Sequence, residues 1–142
     1  MKTFVVLAVS IVLVGILFCP ELIAAPSMPS DLQMVQPDPS LPKELSAFFG
    51  KWEGTGRIPY FLIVEKIDQE KSSLYVWGYS SETASTPTWA RFETQVTKER
   101  GKYKLWYSGR HGNCDLTFKG EALNWSTISQ YGSESVRLTR VP

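Results

Sequence analysis

Leu45-Ser46-Ala47-Phe48-Phe49-Gly50-Lys51-Trp52-Glu53-Gly54-Thr55-Gly56 decides how the rest of the chain is read. A short apolar lead-in passes into Gly-x-Trp, and glycine then recurs at every second position. Side chains alternate between faces along a strand, so these glycines flank Trp52 on one face and let the strand bend sharply against its neighbours. The stretch predicts entry into the first strand of a closed β-sheet. Lys43–Phe49 before it has the length for one or two helical turns, with Leu45, Phe48 and Phe49 on one side.

Downstream, the pattern is strand and turn. Strands are expected at Lys51–Arg57, Tyr60–Ile67, Ser73–Tyr79, Thr88–Thr97, Lys102–Ser108, Asn113–Lys119, Ala122–Ser129 and Glu134–Val141. The breaks carry turn chemistry, as in Asp68-Gln69-Glu70-Lys71, Glu99-Arg100-Gly101 and Lys119-Gly120-Glu121. No helical period is long enough for a crossover, so consecutive strands are expected to be antiparallel neighbours. The fold class is therefore all-β, an antiparallel eight-stranded up-and-down barrel preceded by a short helical turn. A two-sheet sandwich is the alternative that the same pattern allows.

Alternation assigns the faces. Ala90, Phe92, Thr94 and Val96 oppose Trp89, Arg91, Glu93 and Gln95. Tyr103, Leu105 and Tyr107 form one apolar face; Cys114, Leu116 and Phe118 form another; Val136, Leu138 and Arg140 share a third. The strand at Ser73 reads as apolar on both faces, with Leu74 and Val76 on one and Tyr75, Trp77 and Tyr79 on the other.

The N-terminus divides from this domain by composition. One lysine, Lys2, precedes an apolar run from Phe4 to Phe18, which at about 15 residues is short of the roughly 20 that span a bilayer. It reads as a secretory signal over 1–25, cut after Ala25. An uncleaved anchor and lipidation at Cys19 are the alternatives, and either would tether the chain to a membrane. Pro26, Pro29, Pro37, Pro39 and Pro42 mark 26–42 as a linker, which leaves 43–142 as the barrel domain. The expected location is exported, periplasmic or extracellular.

Gly50-Lys51-Trp52, set beside Arg140 at the end of the last strand, resembles the calycin superfamily of lipocalins, avidins and fatty-acid-binding proteins. The resemblance implies a barrel that holds small molecules, with Trp52 plugging the closed end and Arg140 packed across its ring. Arg137 is the alternative partner. Both roles are structural, so they place any binding site toward the other end or on an outer face. Trp52-Glu53-Gly54 and Val76-Trp77-Gly78 are also similar to small exported bacterial domains of unknown function.

Charge excludes some functions and leaves others. Fifteen basic and fourteen acidic residues give a net charge of +1, which does not favour nucleic acid. One histidine and two cysteines offer neither a metal site nor a disulfide scaffold, and no cofactor is expected. His111 lies in a Gly-rich turn, and no complete catalytic triad accompanies it. Glu53, Glu65, Glu93, Asp115 and Glu121 could supply a hydrolase with a carboxylate pair, yet none falls in a catalytic motif, and the chain is read as a non-enzyme. What remains is aromatic surface: Trp77, Tyr79, Trp89, Arg91, Trp106 and Trp125 are the expected ligand-binding residues. Pointing inward, they imply a small hydrophobic or aromatic ligand; pointing outward, they imply a protein or glycan partner.

Overall fold

The computed structural model describes residues 25–56, 58–78, 86–109, 112–130 and 132–142. A single turn of helix, α1 (Lys43–Ser46), leads into β1 (Gly50–Thr55), β2 (Pro59–Ile67), β3 (Lys71–Gly78), β4 (Thr88–Glu99), β5 (Lys102–Gly109), β6 (Gly112–Lys119), β7 (Ala122–Ser129) and β8 (Gly132–Val141). Each strand pairs antiparallel with the next, and β1 pairs with β8, so the sheet closes on itself in sequence order. This is the up-and-down barrel read from the turn spacing; β4 meets β5 over Gln95–Glu99 and Lys102–Trp106, and β1 meets β8 over Lys51–Gly54 and Leu138–Val141. Strand bounds move by a few residues. Arg57 and Tyr79, expected at the ends of two strands, lie outside the described residues, as do 1–24 and His111.

The register of β1 explains its composition. Trp52 stands opposite Arg140 and Gly54 opposite Leu138 on β8. A Cβ at Gly54 would run into the Arg137 carbonyl and come within 2.7 Å of Leu138 Cδ2, so only glycine lets these strands approach. Gly50 adopts φ +123, which carries the chain from the helical turn into the strand.

The inner wall follows the alternation. Leu62, Val64, Leu74, Leu105, Leu116, Leu123 and Leu138 are at most 2% exposed and fill the middle of the barrel. Phe48 and Trp52 seal one end, where Phe118 packs edge-on to both at 4.7 and 5.7 Å. The two-faced strand β3 resolves: Leu74 and Val76 belong to the interior, whereas Tyr75 and Trp77 face the outer wall. Tyr75 is nevertheless buried, because the Pro-rich segment before α1 lies over it.

Candidate functional site

Three of the residues expected to bind, Trp77, Trp89 and Arg91, meet on the outer wall. Trp77 and Trp89 are register partners with rings edge to face at 5.4 Å, and both are half-buried. Arg91 stacks over Tyr75 at 4.7 Å. The chain's own N-terminal segment clasps this surface. Trp89 Nε1 donates to the Ser27 carbonyl at 2.8 Å, and Arg91 Nη2 donates to the Asp31 carbonyl at 3.0 Å. The chain turns at Pro29–Leu32 and returns to β2, where the Val35 amide donates to the Glu65 carbonyl at 2.8 Å.

Glu65 organises the clasp. It sits at a register shift between Val64 and Lys66, the kind of bulge that re-aims a side chain. Its carboxylate is only 6% exposed, pairs with Arg91 Nε at 3.0 Å, and accepts hydrogen bonds from Ser73 Oγ at 2.6 Å and the Gln33 amide at 3.1 Å. A buried charge held by three donors is satisfied, which argues for structure and against reactivity. Burial lifts the Tyr75 phenol to about 12, aided by the nearby Asp31 carboxylate. The Tyr75 hydroxyl in turn holds the Asp31 carboxyl below its usual range, although the two groups do not reach hydrogen-bond geometry.

Trp106 and Trp125 stand elsewhere. Trp106 is on the outer wall of β5 between its register partners Gln95 and Asp115, toward the end of β4 away from Trp89. Trp125 points into the barrel, packed against the core with its ring 4.9 Å from that of Tyr60. The expected residues therefore do not form one site, and Tyr79 lies outside the described residues.

Trp125 leads to a second constellation, at the end of the barrel opposite Trp52. Register pairing aligns Tyr107 with Cys114, Cys114 with Thr127, and Thr127 with Glu134. These four positions share inward parity with the buried Leu105, Leu116 and Val136, so hydroxyl, thiol, hydroxyl and carboxylate run in one row across β5–β8. Directly below runs Leu116–Trp125–Val136. Phe92 stacks on Tyr107 at 4.9 Å, so Tyr60, Phe92, Tyr107 and Trp125 put aromatic rings around this level.

The polar atoms of the row are incompletely paired. Trp125 Nε1 is buried with no hydrogen-bond partner. Burial pushes the Tyr107 phenol well above its ordinary value and raises the Cys114 thiol, while the Trp125 indole opposes both shifts without reaching hydrogen-bond geometry. A thiol raised by burial is a poor nucleophile. Glu134 is half-buried, and its Oε1 lies 3.2 Å from the point where a Cβ on Gly56 would stand, beside Tyr60 and Val136. It makes no hydrogen bond or ion pair among the described residues. Toward the rim the inward positions are small: Ala90 follows Phe92, and a Cβ at Gly78 would meet nothing within 4 Å.

The closed end holds the other expected pair. Arg140 lies over the Trp52 ring at 4.3 Å, and its guanidinium donates to the carbonyls of Phe49 and Ala47. Arg137, the alternative partner, has the opposite parity and is exposed.

No protein-family model matches the chain, and neither a characterised protein nor a solved structure is significantly similar to it. Among the described residues no three His, Cys, Asp or Glu side chains come together as a metal site, and no helix is long and apolar enough to cross a membrane.

Tyr60, Tyr107, Cys114, Thr127 and Glu134 were not singled out by residue type. The signal was parity: Glu134 falls on the face of Val136 and Leu138, and Thr127 on that of Leu123 and Trp125. A carboxylate in an apolar alternation is the mark that would have found the row.

Proposed function

We propose that this chain is an exported, calycin-like binding protein that takes a small hydrophobic or aromatic ligand at the barrel end opposite Trp52. One observation carries the reading: Trp125 Nε1, a buried donor without a partner, lies beneath the inward row Tyr107–Cys114–Thr127–Glu134 and above a middle layer of leucine and valine side chains. An unpaired buried donor costs about 1–3 kcal/mol, which a ligand carrying an acceptor would recover. Aromatic rings around a few convergent polar groups are the usual make-up of a small-molecule site. The filled middle of the barrel confines the ligand to the upper layer, so it is small.

The supporting sequence features are the apolar run Phe4–Phe18 before Ala25, and the Trp52–Arg140 pair that the calycin resemblance calls for. Native mass spectrometry of the protein purified from its own host tests the reading. A retained small mass, lost from Trp125→Phe, is expected. A bare polypeptide mass, together with unchanged Trp125 fluorescence across a panel of apolar ligands, would contradict it.

A second reading is favoured by the Trp77–Trp89 pair, two half-buried rings set edge to face on the outer wall. They would serve a protein or glycan partner. In that case Trp77→Ser abolishes partner binding and leaves small-ligand binding intact.

A further inference from the structure

Glu134 carries a chemistry that the aromatic rings alone do not define. It is a half-buried carboxylate on the inner wall, and no described cation or donor partners it. The acids that the barrel uses structurally are all supplied: Glu65 has Arg91, Glu93 has Lys71, and Glu99 has Lys104. Glu134 differs from them in its neighbours as well. Its Oε1 is beside Tyr60 and Val136, and Tyr60 packs against Trp125.

An acid on an apolar wall with no counter-charge among the described residues offers a partner to a cation. Ring faces and edges nearby suit a cation too, because the π face attracts ammonium groups in desolvated sites. The unpaired Trp125 Nε1, two residues below Thr127, the partner of Glu134 on the neighbouring strand, asks for an acceptor on the same molecule.

We infer that the ligand is an organic ammonium: a flat apolar body whose cationic nitrogen lies against Glu134 and the Tyr60 and Trp125 rings. This rests on the reading of the upper barrel as the ligand site and adds the charge of the ligand to it. The rival surface features carry less. Glu65 is already satisfied, and the groove around Asp31 and Lys66 is lined by the same clasp.

Calorimetric titration with three compounds of one ring system, each with a methoxy oxygen as acceptor for Trp125 Nε1, separates the two claims: 5-methoxytryptamine as the cation, 5-methoxyindole as the neutral body and 5-methoxyindole-3-acetate as the anion. The tryptamine is expected to bind at least about tenfold more tightly than the neutral indole, and the acetate more weakly than either. Glu134→Gln should abolish the preference for the cation over the neutral compound. Glu134→Asp, which keeps the charge, should retain part of it and controls for disturbance of β8.

Equal binding of the three compounds, or a tryptamine preference that survives Glu134→Gln, overturns the inference and leaves the upper-barrel site standing. Failure of all three to bind overturns the inference, and a bare mass from the host then removes the site itself.

Discussion

The Arg140 guanidinium lies 4.3 Å over the Trp52 ring while it donates to the Phe49 and Ala47 carbonyls. One side chain thus joins the last strand to the first and ties both to the turn that precedes them. The indole is held from below as well, since Trp52 Nε1 donates to the Phe48 carbonyl at 2.9 Å. Arg140→Met should lower stability by about 2–3 kcal/mol, combining a cation–π contact with charge-assisted hydrogen bonds. Arg140→Lys should recover less than half, because an ammonium cannot reproduce the planar fork. Urea midpoints at unchanged m-value provide the measure.

Gly54 sets how closely β1 and β8 approach. A Cβ there meets the Arg137 carbonyl, which is backbone and cannot swing away. Gly54→Ala should therefore cost about 2 kcal/mol or more and loosen the β1–β8 ladder. Faster amide exchange at Thr139 and Val141 than at β4 residues would register it; equal rates would contradict it.

The N-terminal clasp should come off without unfolding the barrel. Arg91 connects Asp31 on the clasp with Glu65 on β2, at 3.4 and 3.0 Å. Arg91→Ala should raise hydrogen exchange at the Gln33 and Val35 amides, which bond Glu65, by at least about tenfold, and leave β5–β8 protected.

The clasp should also weaken in acid. The Asp31 carboxyl is held below its ordinary 3.8 by the Tyr75 hydroxyl and, to a lesser degree, by Arg91. A group whose folded pKa is depressed contributes stability above the unfolded value and loses it as pH falls through the folded one. Clasp protection should accordingly hold above about pH 4 and decline below it. Asp31→Asn should flatten that decline.

At high pH the sign reverses. Burial raises the Tyr75 phenol to about 12, so its contribution is complete below 10 and is lost as pH climbs toward 12. Spectrophotometric titration should show Tyr75 ionising late.

Most of the barrel was legible because period-2 alternation and short turns leave little freedom. Phe92, Thr94, Leu105, Cys114, Leu116, Val136 and Leu138 face inward as their parity requires. Trp52 and Arg140 were legible as a pair through the calycin resemblance, and the register, which puts Arg140 opposite Trp52, decides against the alternative Arg137. What alternation could not supply was the face of β3, where both sides are apolar. The reason lies outside the strand: residues 27–35 cover Tyr75, so an outward position carries a core side chain. The row Tyr107–Cys114–Thr127–Glu134 was hidden for another reason. It exists only across four strands, and register between them depends on turns that the strand pattern does not specify.

The most direct test of the upper-barrel site follows the indole N–H resonances of 15N-labelled protein as unlabelled 5-methoxytryptamine is added. Trp125 has a free Nε1–H at the proposed site, whereas Trp52 Nε1 is bonded to Phe48 at the closed end and Trp89 Nε1 to Ser27 on the outer wall. A saturable shift of the Trp125 resonance, with those of Trp52 and Trp89 unmoved, is the predicted result. Movement of Trp77 and Trp89 with Trp125 stationary would put the ligand on the outer wall and contradict the account.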